Sequence, residues 1–142
     1  MTCTYPKKIA CGTYKFDATT TGLSYYDAML GKGDIVGKYK DNPKEYFKNV
    51  KGIDFEIECM TPDKYFVEVA KFHGTTPDHE KNVRVMRSYV EDYKNRVLKC
   101  SPMPLPILDY KDKVQEGRHR VKVASELGIQ KIPVLVVRRS KR

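Results

Sequence analysis

The residues with the clearest chemical potential form one short run, Glu116-Gly117-Arg118-His119-Arg120, which lies between a predicted strand and a predicted helix. Glycine at this point can take a positive φ, which lets the main chain approach a ligand closely. The first amides of a helix lack intrahelical partners and carry the positive end of the helix dipole. Helices favour acids there, yet this one starts with two arginines and a histidine, which is favourable when an anion occupies the site. The run therefore predicts a phosphate-bearing ligand, with a nucleotide as the first candidate.

Each side chain of this run has a chemical role and a structural alternative. Arg120 can hold a phosphate with two N–H groups, and His119 can donate a further hydrogen bond. Glu116 could act as a general base or help to hold a metal ion on the phosphates. In the structural alternative, Arg118 and Arg120 pair with Glu116 and Asp112 as surface salt bridges.

The elements that must position this run indicate an α/β (α+β) fold. Apolar and acidic residues alternate over 53–59, the period of a strand with one buried face. Short strands are predicted over 105–110 and 113–116, and a strand buried on both faces over 132–137. We expect a small mixed sheet with packed helices over 53–138.

Two predicted helices begin with the same tripeptide, Thr-Pro-Asp, which supplies a capping hydroxyl, a proline at the first helical position and an early acid. The first begins at Thr61 and stops at Gly74. The second begins at Thr76, and apolar residues at steps of three and four predict one long amphipathic helix to about Leu98. These residues are Val83, Met86, Val90, Tyr93 and Val97. A third helix follows the glycine turn and stops at Gly128.

The length and composition of the chain limit the number of domains and the location of the protein. The chain has 142 residues, enough for one domain with a core, and a formal charge of +9. Residues 1–52 are predicted to be an N-terminal appendage packed on the core, and 139–142 a basic tail. No apolar run approaches the roughly 20 residues of a membrane span, and the first residues do not form a signal peptide. We therefore expect a cytoplasmic protein with no membrane partner.

The four cysteines are scattered along the chain, without a Cys-x-x-Cys pair: Cys3, Cys11, Cys59 and Cys100. Zinc sites need clustered ligands, so no protein-held metal is expected. In the expected compartment the cysteines are predicted to be free thiols.

From Pro104 onward the chain resembles the ParB/sulfiredoxin superfamily. The shared pattern is a strand, a Gly-x-His-Arg or Gly-x-x-Arg turn, a helix containing Ala and Leu-Gly, and then Ile-Pro-Val and a strand. The likeness covers about 53–138 and is specific over roughly the last 35 residues. It implies that Gly117 to Arg120 hold the phosphates of ATP or CTP, with Mg²⁺ as a candidate companion. Lys81 matches a lysine that joins this pocket in some members.

Two departures from the family narrow what the resemblance implies. Sulfiredoxins have a catalytic cysteine where this chain has Arg118, so reduction of cysteine sulfinic acid is not expected. Partition proteins of the ParB type carry a following helix-turn-helix domain, whereas this chain stops at Arg142, so centromere binding is not expected. The resemblance is to the stand-alone branch, which implies NTPase, nuclease or small-molecule kinase activity.

Two function classes remain open. In the first, the protein is a nucleotide-binding enzyme or switch that cleaves or transfers a phosphoryl group, with Glu116 and His119 as catalytic residues. In the second, it is a non-catalytic module that binds the phosphates of nucleic acid, such as DNA, through the same turn and a basic end. The residues of that end are Arg138, Arg139, Lys141 and Arg142. Either class leaves a homodimer open.

Overall fold

The computed structural model describes residues 9–11, 14–16, 52–98 and 106–140. This part of the chain mixes helices and strands around a small four-stranded sheet, so the α+β prediction is confirmed. The strands are β1 (Ile9–Cys11), β2 (Tyr14–Phe16), β3 (Ile53–Met60), β4 (Ile107–Asp109), β5 (Val114–Glu116) and β6 (Ile132–Arg139). The helices are α1 (Pro62–His73), α2 (Arg87–Leu98) and α3 (Arg118–Glu126), with a π-helical turn at His79–Val83.

The sheet has the strand order β3-β6-β4-β5, with β6 and β4 parallel and the other neighbours antiparallel. Leu135 in β6 lies opposite Ile57 of β3 on one side and Ile107 of β4 on the other. Because β6 is an inner strand, its first six residues are all buried, as the β-branched run predicts.

Helix α1 shows the predicted start and stop signals. The Thr61 hydroxyl oxygen accepts a hydrogen bond from the Lys64 amide at 3.1 Å, and Gly74 ends the helix in the left-handed region. Helix α1 contacts β4, β5 and α3, and its buried apolar residues are Tyr65, Phe66, Val69 and Ala70. The Thr-Pro-Asp start and the Gly74 stop therefore predict the two ends of this helix correctly.

The prediction of one long helix from Thr76 is wrong. A π-helical turn comes first, α2 starts only at Arg87, and the side chains of Val83 and Met86 are exposed. At the break the Met86 amide donates to Nε2 of His119 at 3.1 Å, and so does not make the i→i−4 hydrogen bond of a continuous helix. Val90, further along, is buried as predicted.

The cysteine prediction fails at Cys59, which is disulfide-bonded. Disulfides persist mainly in oxidising compartments, so this bond does not support the expected cytoplasmic location. Within the described ranges, no helix has the length and apolar character needed to cross a bilayer.

Two short strands of the N-terminal appendage, β1 and β2, are described in the structure. The β1–β2 hairpin is antiparallel and contacts β6. The rest of 1–51 lies outside the described residues, as do Lys141 and Arg142. The boundaries 1–52 and 139–142 therefore stay predictions.

Candidate functional site

The glycine of the predicted ligand turn joins β5 directly to α3. Gly117 has φ 108° and ψ 15°, a conformation that side chains with a Cβ rarely adopt. A Cβ at this position would lie 2.8 Å from the Cα of Pro106, so the space is also closed to one. Both the backbone angle and the close approach therefore require glycine here.

The two amides that follow Gly117 are not used in the hydrogen bonds of α3. The first hydrogen bond of α3 runs from the Val121 amide to the Gly117 carbonyl at 3.0 Å. The amides of Arg118 and His119 have no hydrogen-bond partner among the residues that the structure describes. They lie at the positive end of the helix dipole, which is a favourable position for an anion.

Arg120 is part of the core and not of the surface. Its side chain is 4% exposed, and both terminal nitrogens of its guanidinium donate to the two carboxylate oxygens of Glu116. The guanidinium also lies 5.9 Å from the centre of the Tyr93 ring. The two terminal nitrogens that were expected to hold a phosphate are thus engaged by Glu116. The structure contains the Arg120–Glu116 pair of the structural alternative, but with Arg120 buried and not at the surface.

Arg118 is held by a carboxylate that the sequence did not single out. Its Nη2 donates to Oε1 of Glu80 at 2.7 Å, and Glu80 is fully buried. Glu80 also accepts hydrogen bonds from Thr75 at 2.7 Å and from Nδ1 of His73 at 3.0 Å. Burial raises the pKa of the Glu80 carboxyl, but these hydrogen bonds and the Arg118 charge outweigh it, and the pKa is lowered. No sequence signal marks Glu80, because an acid near a helix start is ordinary.

The Arg118 side chain has one unsatisfied group. Its Nε is buried and has no hydrogen-bond partner within the described part of the chain. Such donors are rare in native proteins and often mark the place of a water or ligand. The first turn of α3 therefore has N–H groups without acceptors, both in its main chain and in the Arg118 side chain.

His119 has a defined tautomer. Its Nε2 accepts the hydrogen bond from Met86, which leaves the proton on Nδ1, the ring nitrogen nearer the main chain. The Tyr89 ring meets the imidazole edge-on, with 5.1 Å between ring centres. Burial and the charges of Arg118 and Arg120 lower the pKa of His119. A neutral imidazole with an Nδ1–H donor is thus the form at neutral pH, and it suits the expected donor role.

Lys81 is directed away from this turn. Its Nζ lies 3.3 Å from Oδ1 of Asp63, which is in the first turn of α1. The network of Glu80 and Arg118 meets α1 at its last residue, His73. The Asp63 contact does not support a phosphate role for Lys81.

The basic residues at the end of β6 do not share a surface edge with the turn. Arg138 donates to Glu58 at 3.0 Å and lies over the Tyr110 ring at 4.6 Å. It follows the end of β4 in register, whereas Gly117 adjoins Pro106 at the start of β4. Arg139 is exposed. The turn and the basic end thus lie at opposite ends of β4, which does not favour a single nucleic-acid surface.

Metal ligands are not gathered at this turn. In the described ranges, no three His, Cys, Asp or Glu side chains lie close enough together to hold a metal ion. The oxygens of both carboxylates nearest the arginines, Glu116 and Glu80, already accept hydrogen bonds from the protein. Comparison of the chain with protein-family models, with curated proteins and with solved structures gave no match.

Proposed function

We propose that this chain is a nucleotide-binding protein of the ParB/sulfiredoxin type that holds a phosphate group on the Gly117 turn. One observation carries the proposal: the amides of Arg118 and His119 lack partners at the start of α3. The Nδ1–H of His119, in the same first turn of α3, is a further donor. The Gly-x-His-Arg resemblance supports the same turn from the sequence.

The geometry favours binding over phosphoryl transfer. A general base must be free to take a proton from the attacking group. Both oxygens of Glu116 accept hydrogen bonds from Arg120, so Glu116 is not free to act in this way. His119 is neutral and donates through Nδ1. Hydrolysis or transfer of a phosphoryl group therefore stays a prediction of the resemblance.

The proposal is tested by titrating ¹⁵N-labelled protein with ATP and with CTP, each with Mg²⁺, and following the amide resonances. The largest shifts are expected at Arg118 and His119, because their N–H groups gain an acceptor. Binding that leaves both resonances unchanged would place the ligand elsewhere and contradict the proposal.

A pair of variants separates this site from the basic end of β6. His119→Ala removes a donor to a charged group and is expected to weaken nucleotide binding by about 1.5–3 kcal/mol. Arg139→Ala removes an exposed charge away from the turn and is expected to leave nucleotide affinity unchanged. A larger loss of nucleotide affinity in Arg139→Ala than in His119→Ala would place the phosphate contact at the basic end of β6 and favour a nucleic-acid module. The Tm of each variant shows whether it is folded.

A further inference from the structure

Strand β3 has a long open edge. The strand order β3-β6-β4-β5 places it at one side of the sheet, where β6 is its only partner among the described strands. It has eight residues, whereas β5 at the opposite side has three. Its register with β6 is continuous from Ile53 to Met60, without a bulge, and it contains no proline. Short length, bulges and prolines commonly protect edge strands, and β3 has none of these three.

The register shows which main-chain groups of β3 face this edge. In an antiparallel pair, alternate residues of a strand direct both their N–H and their C=O groups to the same neighbour. The Ser140 amide donates to the Gly52 carbonyl at 3.0 Å, directly before Ile53 pairs with Arg139. The even-numbered residues of β3 therefore bond to β6, as Gly52 does. The odd-numbered residues direct their N–H and C=O groups to the open edge.

The hydrogen bonds of β6 on its other side agree with this assignment. The Leu135 amide donates to the Pro106 carbonyl at 2.9 Å, and the Val137 carbonyl accepts from the Tyr110 amide at 2.8 Å. Odd-numbered residues of β6 thus bond toward β4, which leaves its even-numbered residues to bond to β3. Each of these lies opposite an even-numbered residue of β3. The odd-numbered main-chain groups of β3 are therefore the open ones.

Three acidic side chains lie along this edge on one face of the sheet. Asp54, Glu56 and Glu58 occupy alternate positions, so their side chains point to the same side. Arg138 pairs with Glu58 at 3.0 Å and lies 3.8 Å from Glu56, which is 63% exposed. Asp54 accepts a hydrogen bond from the neutral hydroxyl of Ser140 at 3.0 Å. One arginine against three acids leaves the row negative, in a chain with a formal charge of +9.

This acidic row disfavours pairing of β3 with a second copy of itself. Antiparallel pairing through the odd-numbered groups places even-numbered residues opposite even-numbered ones. In the centred register Glu56 lies opposite Glu56, and Asp54 opposite Glu58. Moving the partner by two residues places Glu56 opposite Glu58 or Asp54. Like charges directly opposite each other destabilise a sheet, whereas opposite charges stabilise it, so the edge fits a basic strand.

We propose that the open edge of β3 binds an extended basic peptide as an added antiparallel strand. The partner is a segment in which lysine or arginine alternates with apolar residues, with its basic side chains opposite Asp54, Glu56 and Glu58. Main-chain hydrogen bonds to the odd-numbered residues of β3 supply affinity, and the acids select the partner. β6 and β4 lie between this edge and β5, which leads into the Gly117 turn, so the inference does not depend on nucleotide binding.

The test uses the full chain and a fluorescein-labelled peptide of eight residues, the length of β3, in which lysine and valine alternate. Fluorescence anisotropy is expected to show saturable binding that added salt weakens. The same peptide with glutamate in place of lysine is expected not to bind. Failure of the lysine peptide to bind below about 1 mM would refute the proposal.

Two methylated peptides distinguish strand addition from a general attraction between charges. In the proposed arrangement the lysines lie opposite even-numbered residues, so valine N–H groups face β3 and lysine N–H groups face solvent. N-methylation of the valines removes main-chain hydrogen bonds and is expected to weaken binding by at least about tenfold. N-methylation of the lysines is expected to leave the affinity within about threefold. Equal affinity of the two methylated peptides would rule out strand addition.

A pair of variants tests the role of the acids. Glu56→Gln removes one charge opposite the peptide at an exposed position and is expected to weaken binding by about threefold. Asp92→Asn makes the same charge change at an exposed residue of α2 and is expected to leave the affinity unchanged. An equal loss in both variants would mean that the peptide responds to overall charge and not to β3.

Sedimentation equilibrium tests a second copy of the chain as the occupant of this edge. The lysine peptide is expected to bind without changing the oligomeric state, because the acidic row disfavours pairing between copies. A dimer that the peptide dissociates would assign the edge to a second copy and overturn the proposal.

Discussion

Arg120 and Glu116 form a bidentate ion pair across Gly117, joining the last residue of β5 to the first turn of α3. Because Arg120 is 4% exposed, the pair belongs to the interior and fixes the shape of the turn. Tyr65 in α1 adds to this from the other side, donating its hydroxyl to Gln115 at 2.7 Å. The turn that we propose as a phosphate site is thus held in shape by the side chains of Arg120, Glu116 and Tyr65.

Arg120→Ala is expected to destabilise the fold, contrary to the small effect that an exposed arginine would have. Truncation leaves Glu116 without its partner and a gap beside Tyr93. Breaking a buried pair on one side costs about 3 kcal/mol or more, which urea denaturation would measure. Arg139→Ala, at an exposed position, should stay within about 0.5 kcal/mol of wild type. Equal stability of the two variants would show that the pair has no structural role.

Gly117→Ala and Gly74→Ala separate backbone strain from steric overlap. Both glycines have a positive φ, 108° and 67°, but only a Cβ at Gly117 meets another group, Pro106 at 2.8 Å. Gly74→Ala is expected to cost about 1 kcal/mol and Gly117→Ala about 3 kcal/mol or more, from Tm and denaturant midpoints. A smaller loss at Gly117 than at Gly74 would contradict the close approach to Pro106.

His119 should make stability depend on pH below neutrality. Its pKa is lowered in the fold, so the unfolded chain binds a proton more readily. The contribution of His119 to the free energy of unfolding is therefore fully present above the unfolded pKa of about 6.5. It is lost as the pH falls through the lower pKa of the folded state. Protonation of Nε2 also removes the acceptor for the Met86 amide.

His119→Gln keeps an acceptor but does not titrate in this range. The difference in unfolding free energy between wild type and this variant, measured from pH 7.5 to 5, isolates His119 because the other histidines are common to both proteins. A difference that does not change with pH would mean that His119 titrates normally.

Asp109 should have the opposite pH dependence. It is fully buried, Oδ1 accepts from the Lys111 amide at 2.8 Å, and Oδ2 has no partner among the described residues. Burial raises its pKa, so folding favours the protonated form, and stability falls as pH rises from about 3.9 through the folded pKa. Asp109→Asn keeps the Oδ1 acceptor and is expected to raise the Tm at pH 7. The gain should shrink toward pH 4, and a constant difference would argue against a buried charge.

Local signals in the sequence predict much of this fold. The Thr61 cap, the Gly74 stop and the buried run at 132–137 depend on neighbours within a few positions, and all three are present. The failures involve distant partners. At the break before Arg87, the Met86 amide donates to His119, which is 33 residues further along the chain. Periodicity contains no information about such a contact.

The sequence left the charge balance of the candidate site open for the same reason. It could not indicate the partner of Arg118, because Glu80 is 38 residues away. It did allow a pair between Arg120 and Glu116, but it could not decide between that pair and a bound phosphate. Only the three-dimensional arrangement distinguishes a basic surface from two internal ion pairs.

The strand order has a consequence for how the chain reaches this fold. β3 and β4 are both neighbours of β6, which follows them in the sequence, and Glu58 and Arg138, bonded between β3 and β6, are 80 residues apart. Contacts between residues so far apart in the sequence slow folding. The reason is that the chain loses the entropy of closing a long loop before the strand pairing stabilises it. Until β6 has been synthesised, β3 and β4 each have an edge with unpaired backbone N–H and C=O groups. Strands of other chains can pair with such an edge. We expect the time until β6 leaves the ribosome to govern how much of the newly made protein aggregates.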